Sequence, residues 1–478
     1  MERYVKSDDR NQLSLLPMSL DDMIPEDAEV RALEVIVEKM DIRSLDFKYA
    51  ETKQTGRPPF DPVDMFKLNI YSYFNGIRSS RKIERECYRN IELMWLIGNL
   101  KPDFKTIANF RRDNKSQIKR AFQAFSMICD QLGMIGKEIV AVDGSKFRAC
   151  NSRDAYYSEK KIDRKLAHYN KAASEYLKLL DACDREESDS PKFTKDELVE
   201  KLDKINTRIS ELTIMRDIVV ENGNICETDT ESRMMRTANS GADICHNVQI
   251  AVDSKNHIVV AVDVTSQPID KEQLYNMSSQ AKANMEAETL TVVADKGYYS
   301  ASQFKECSKN GIIPIVPKTI SGHIPAEEFD KTAFTYDAEK GGCICPTGIL
   351  LSPFKSRETS AYTAKGYVKY ANISACKQCQ QKSKCTSGKY RMIQDNPLQK
   401  YSHEVDKRVK DNPKAYLLRK QLAEHPFGTV KRALGFTYFL TIGTESVKAE
   451  ALLHFLIYNM KRAINQMGTI KLIEALQG

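Results

Sequence analysis

The sequence predicts a multidomain α/β protein in which a mixed sheet is flanked by helices, and three observations carry that expectation. Two short apolar, β-branched runs, residues 139–142 and 290–294, each stop at an aspartate with a glycine just beyond, in VAVDG and VVADKG. Between them, CHNVQIAVD and HIVVAVDVTS read as two strands that turn at Asn256 and His257. On either side of these strands apolar residues recur at helical spacing over long stretches.

At 478 residues the chain is long enough to bury a large core and to divide into roughly two to four domains. Its 72 Lys and Arg against 65 Asp and Glu leave a net charge of +7, too mild by itself to indicate a nucleic-acid partner. The excess is concentrated, however: residues 67–120 hold thirteen Lys or Arg against five Asp or Glu, interleaved with Tyr71, Tyr73, Phe74, Tyr88 and Trp95. Clustered cations on helices are the electrostatic footprint of a phosphate-binding surface, although a solvated basic face has the same composition. No apolar run reaches the roughly 18 residues a membrane span requires, and MERYVKSDDRNQ lacks a signal-peptide core. The expectation is an intracellular, cytoplasmic protein with no membrane partner.

Taken in order, residues 1–136 read as a helical, DNA-binding domain. One helix is expected over 27–40, and another after Asp61 with Pro62 at its first position. Turns at Asn75-Gly76 and Lys101-Pro102 divide the rest, and KTIANFRRDNKSQIKR, which holds Arg111 and Arg112, reads as a basic helix suited to DNA. Residues 137–152 and 226–317 supply the sheet. Two helical stretches, one stepping through Ile162, Leu166 and Tyr169 and one through Leu198, Leu202 and Ile205, form a hairpin inserted at 153–225. Thr194 and Glu197 make a capping box for its second arm. Residues 411–478 return to helix, and Leu452, Phe455, Leu456, Met460 and Ile464 form one apolar stripe.

The aspartates Asp143 and Asp295 carry the first chemical signal. In a parallel sheet, ligands and metals collect outside the carboxyl ends of strands, so two strands ending in carboxylates can share one site despite their distance in the chain. Each motif alone is equally compatible with a turn cap. A second signal lies in residues 318–410, which are loop-rich in texture. CICPTG places Cys343 and Cys345 upstream of Cys376, Cys379 and Cys385 in CKQCQQKSKC, a ligand supply suited to a structural, tetrahedral Zn²⁺. The expected set is Cys345, Cys376, Cys379 and Cys385, with Cys343 able to replace Cys345.

With these motifs in place, the chain resembles a bacterial insertion-sequence transposase of the DDE type. The resemblance rests on VDGSKFRA, NVQIAVD, ADKGYY, the cysteine-bearing insertion and YLLRKQLAEHPFGTVKR. It implies an RNase H-like catalytic core whose three carboxylates are Asp143, Asp295 and Glu424, the last within a signature of Tyr416, Arg419, Glu424 and Lys431. Some relatives place three residues between the Arg and the Glu; this chain has four, which alters how Arg419 projects. Pro426, two positions after the glutamate, is expected to distort its helix.

The same resemblance implies two Mg²⁺ or Mn²⁺ ions held by Asp143, Asp295 and Glu424, with Arg419 and Lys431 on DNA phosphates and Tyr416 stacked or hydrogen-bonded nearby. The partners it implies are double-stranded DNA at element ends and target, and a homodimer or higher oligomer in the DNA complex, nucleoid-associated when bound. A metal-dependent nuclease without strand transfer and an inactive DNA-binding regulator are the alternative readings.

Overall fold

The computed structural model describes residues 18–48, 58–183, 195–237, 241–318, 327–337, 339–354, 368–394 and 398–478. The chain opens with helices α1 (Glu29–Lys39), α2 (Pro62–Phe74), α3 (Ser80–Glu86), α4 (Ile91–Leu96), α5 (Phe104–Asp113) and α6 (Lys115–Gln131). The start of α2 follows its sequence signal, since the Asp61 side chain accepts the Val63 N–H at 2.8 Å and Pro62 fills the first turn. The basic segment expected as one helix is two. It breaks at Asn114, whose buried amide donates to the Phe110 carbonyl at 2.9 Å and whose oxygen accepts the Lys48 N–H at 2.8 Å. A side chain that satisfies backbone groups outside the helix competes with helical continuation.

Strand β1 (Ile139–Arg148) begins the central sheet. The inserted unit follows: β2 (Tyr156–Tyr157), α7 (Glu159–Cys183), α8 (Lys195–Asn222) and β3 (Ile225–Cys226). Tyr157, Ile162, Leu212, Val219 and Ile225 give the hairpin its own small core. Thr194, the expected cap of the second arm, lies outside the described residues. The sheet resumes with β4 (Arg233–Thr237), β5 (Gly241–Asp253) and β6 (Val259–Thr265), and continues through α9 (Leu274–Asn284), β7 (Leu290–Ala294), α10 (Ala301–Lys309) and β8 (Ile312–Ile315).

Its order is β5-β1-β7-β8, with β4 and β6 both paired to the outer edge of β5. β1 is antiparallel to β5 and parallel to β7, which is parallel to β8, so the sheet is mixed as expected. β5 is buried on both faces from Asp243 to Asp253, so its polar residues do not mark a solvent face. The apolar run of β1 ends at Asp143, but the strand does not: β5 pairs with it as far as Arg148↔Cys245, whereas β7 leaves it at Val142↔Ala294.

Residues 318–410, read as loop-rich, contain a second, five-stranded antiparallel sheet among the described residues. It comprises β9 (Thr335–Asp337), β10 (Gly342–Ile344), β11 (Leu350–Pro353), β12 (Lys369–Ala371) and β13 (Met392–Gln394). Two short helices, α11 (Ile373–Gln378) and α12 (Lys382–Cys385), fill the interval before β13. Strands of three or four residues with Gly, Pro and Cys between them carry too little periodicity to be read as sheet.

Four helices complete the chain: α13 (Gln399–Asp411), α14 (Pro413–Gly428), α15 (Thr444–Met467) and α16 (Thr469–Gln477). The helix bearing Pro426 is not broken there. It runs on to Gly428 and then loosens into a π-helical turn over Thr429–Ala433, a widening that accommodates a missing backbone donor. α15 is buried on nearly its whole surface. It lies against α2, α6 and β6, where the Asn459 amide donates to the Val259 carbonyl and accepts its N–H, both at 2.8 Å. A single apolar cluster therefore joins the N-terminal helices, the sheet and α15. α14 covers the other face, with Leu422 and Ala423 packed on Ala141, Val293 and Ile315.

Candidate active site

Side chains two apart on a strand share a face. Ala141 and Val293 meet α14, so Asp143 and Asp295, each two residues further on, emerge toward the same helix just past the Val142↔Ala294 pair. Asp295 caps the short turn Lys296–Tyr298, where one of its oxygens accepts the Gly297 N–H at 2.7 Å. Arg419 sits one helical turn before Leu422 and Ala423 and reaches both carboxylates. Its Nη2 is 2.9 Å from Asp143 Oδ1 and 3.9 Å from Asp295 Oδ2. Burial pushes the Asp143 carboxyl up to about 6, while Arg419 and the Gly144 N–H pull it down and Asp295 pushes it further up.

The spacing that departs from relatives has a direct consequence. Five residues along a helix turn the side chain by about 140°. With Arg419 aimed at the aspartates, Glu424 points away from the sheet and is exposed. Among the described residues, no group of three His, Cys, Asp or Glu side chains is disposed to hold a metal ion. Tyr416 falls within α14, and its side chain lies outside the described residues.

Lys431 turns inward from the π-helical segment. Its ammonium donates to Ser145 Oγ at 2.7 Å and to the Lys146 carbonyl at 3.1 Å, 4.3 Å from the centre of the Phe147 ring, and burial lowers its pKa. Arg111 is also drawn in, donating to Tyr73 Oη at 2.8 Å and to the Arg78 carbonyl at 2.9 Å, whereas Arg112 stays exposed beside Asp113.

Behind the aspartates lies a polar network that the motifs did not identify as functional. Asp270 accepts from Asn247 Nδ2 and Gln249 Nε2, each at 2.7 Å, and pairs with Lys146 at 3.2 Å. The buried Tyr298 hydroxyl donates to Gln249 Oε1. Gly144 makes room for this network, because a Cβ there would collide with the Gln249 amide and lie 2.9 Å from Asp270 Oδ1. The available signal was NVQIAVD, where Asn247 and Gln249, two apart on an apolar strand, had to share a partner on one face.

In the second sheet, Cys345, Cys376, Cys379 and Cys385 line one cavity of about 30 Å³. Cys343 packs instead with Leu351, Tyr370 and Ile393 in the apolar core of that sheet. Of the two upstream cysteines, Cys345 is the one that lines the cavity. Burial raises the Cys385 thiol's pKa, and its three neighbouring cysteines act in the same direction.

Among known families, a transposase domain (DUF772) matches residues 18–113 and a transposase DDE domain matches residues 344–464. The second match contains Arg419, Glu424 and Lys431, while Asp143 and Asp295 lie outside both. No curated protein matches the chain. The piggyBac transposase synaptic complex with hairpin DNA is similar at 8% identity, over 94% of this chain and 79% of that one. Its TM-score of 0.31 is too low to bear on fold or function. Two segments of the chain are thus similar to transposase domains, the second of them of the DDE type.

Proposed function

We propose that the protein binds the ends of an insertion sequence, cleaves the phosphodiester backbone and joins the ends to target DNA, using an RNase H-like sheet and the carboxylates Asp143, Asp295 and Glu424. The observation that supports this reading is the parallel register of β1 and β7, which delivers two aspartates to one point where a single guanidinium is their shared counter-ion. Such a carboxylate pair calls for a cation, and its hard oxygen donors suit Mg²⁺ or Mn²⁺. Glu424, exposed and turned from the aspartates in the metal-free protein, is proposed as the third ligand on the family resemblance alone. Two bound ions would supply Lewis-acid stabilisation of the scissile phosphate and of the attacking and leaving oxygens.

The chain's own groups do the rest. Asp143, with its pKa near 6, is mostly ionised at neutral pH. Tyr298, Gln249 and Asp270 brace the strand that bears it, and Lys431 fixes Ser145 beside it. Arg419 is proposed to exchange its aspartates for a DNA phosphate, with Tyr416 and Lys431 next to the terminal nucleotides and Arg111 and Arg112 on more distant backbone. Cys345, Cys376, Cys379 and Cys385 are proposed to hold a structural Zn²⁺, since all four line one small cavity and four thiolates are the donor set of a closed zinc site. Paired element ends imply a dimer or higher oligomer in the DNA complex, acting in the bacterial cytoplasm.

The test is incubation of the purified protein with a labelled element-end duplex and a target plasmid in Mg²⁺. Joined product is expected. Asp143→Asn, Asp295→Asn and Glu424→Gln should each abolish cleavage while leaving end binding intact. Full cleavage by any one variant removes that residue from the catalytic set, and cleavage without joined product by the unmodified protein reduces the reading to a nuclease.

A further inference from the structure

A cavity of about 330 Å³ lies between the N-terminal helices and the start of α15, apart from the aspartates. Ser79, Ser80, Arg111, Arg112 and Lys115 make part of its lining cationic and hydroxylic. Ala108, Ile118, Ala449 and Leu453 add apolar surface to the same lining. Its volume is at the low end for ligand pockets, enough for one nucleotide unit and too small for a duplex.

The electrostatics of the cavity are unbalanced. Glu450 is the one carboxylate among the lining residues, and it is fully engaged. It accepts from Arg78 Nη2 at 3.0 Å, from the Leu440 N–H at 3.0 Å, and from the Thr441 N–H and hydroxyl at 3.1 and 2.8 Å. Arg78 is spent in the same cluster, with further bonds to the Gly435 and Tyr438 carbonyls. Arg111 is different: it is half-buried, it donates to the neutral Tyr73 hydroxyl and Arg78 carbonyl, and among the described residues no carboxylate forms an ion pair with it. A partly desolvated guanidinium held by a phenol and a carbonyl is stabilised by an anion, and Lys115 lines the same cavity.

We propose that this cavity binds the phosphate ester of a single nucleotide unit, with phosphate against Arg111, Arg112 and Lys115 and the sugar and base against the apolar residues of the lining. The proposal deepens the DNA reading above and rests on it for the natural source of the phosphate, an unpaired strand end. A free nucleotide carries the same chemistry. The site also gives a role to Arg111 and Arg112, which lie on a short helix beside the start of α15 within the basic segment expected to suit DNA.

The experiment uses the full chain, because the N-terminal helices share their core with the sheet. Binding of thymidine 5′-monophosphate and inorganic phosphate is measured by calorimetry. Binding of a labelled duplex with a single-stranded end is measured by anisotropy over a salt series. Lys115→Ala removes a cation, and Ser80→Glu places a like charge in the cavity at the first turn of α3, where an acidic residue is compatible with the helix. Lys39→Ala on α1 is the control, and thermal melts confirm that all variants fold.

Both cavity variants should weaken the mononucleotide about tenfold, and Lys115→Ala should lower the salt slope for DNA by about one. Loss of mononucleotide binding in the variants, with no duplex binding by the unmodified protein, sustains the cavity and overturns the DNA reading. Duplex and mononucleotide affinities unchanged in both variants, or no affinity of the unmodified protein for any of these ligands, overturn the cavity.

Discussion

Arg419 and Asp143 form an ion pair at 2.9 Å, so the residue expected on DNA is, in the DNA-free protein, the counter-ion of the first aspartate. Its second contact, 3.9 Å from Asp295, extends that role to both carboxylates. A cation already seated there competes with any divalent ion. Arg419→Gln should therefore raise Mn²⁺ affinity of the DNA-free protein about tenfold, or about 1.4 kcal/mol, at pH 8. Metal binding requires the ionised carboxylate, and burial holds Asp143 near 6, so affinity in the unmodified protein should decline as pH falls through that value. Mn²⁺ titration followed by electron paramagnetic resonance reads both effects, and equal or weaker affinity in the variant contradicts the competition.

Gly144 follows the aspartate because the Gln249 amide occupies the place of its side chain. Gly144→Ala should cost about 1–3 kcal/mol through overpacking and displacement of a satisfied polar network. Adding Gln249→Ala opens the space, so the double variant should be more stable than the sum of the two single losses predicts. Denaturant midpoints of the four proteins give the coupling, and strict additivity argues against the contact.

The sequence carried the sheet well and the site in part. The two apolar, β-branched runs that stop at Asp143 and Asp295 were legible as buried strands, and the parallel pairing of β1 and β7 brings their ends together. Where side chains compete for partners, the sequence is silent. Thirteen cations between residues 67 and 120 look like one surface, yet Lys67 is buried against Glu34 and Glu38 and Arg78 against Glu450, partners that only the fold brings near. The break at Asn114 was hidden for the same reason, since its stabilising bond reaches back to Lys48. The position of Glu424 was legible as a spacing anomaly. Its outcome, that Arg419 and not Glu424 faces the aspartates, depended on which residue α14 packs inward.

His454 offers a measurement of fold stability that is independent of catalysis. It is fully buried in α15, stacked on Phe436 at 3.9 Å and near Tyr73, and among the described residues neither ring nitrogen has a hydrogen-bond partner. Burial, with Arg78 and Arg111 close by, holds its pKa well below 6.5, so the folded protein keeps the ring neutral. The unfolded chain binds a proton as pH falls through about 6.5, and stability must drop below that pH by about 1.4 kcal/mol per unit until the folded ring also titrates. His454→Phe removes that loss along with two unsatisfied nitrogens. It should be neutral or stabilising at pH 7 and show a flatter pH dependence from 6.5 downward. Thermal melts at pH 7, 6 and 5 decide the matter, and parallel profiles for the two proteins would place the proton uptake elsewhere.

The two upstream cysteines provide the most discriminating test of the proposed zinc. Cys343 and Cys345 are two residues apart, yet the strand ends between them. Cys343 enters the apolar core with Leu351, Tyr370 and Ile393, while Cys345 begins a turn closed by the Gly348 N–H at 2.8 Å and joins three other thiols on the cavity. A closed Cys₄ site contributes its binding energy to folding. Cys345→Ser and Cys379→Ser should therefore reduce the zinc content of protein purified under reducing conditions from about one ion per chain to near zero, and lower the melting temperature with it. Cys343→Ser should lower the melting temperature through a buried hydroxyl while zinc stays bound. Addition of a strong chelator should destabilise the unmodified protein and the Cys343 variant but leave the other two unmoved. Metal analysis by plasma mass spectrometry checks all four. Zinc absent from the unmodified protein returns these thiols to plain packing, and zinc lost with Cys343→Ser but retained with Cys345→Ser would reverse their assignment.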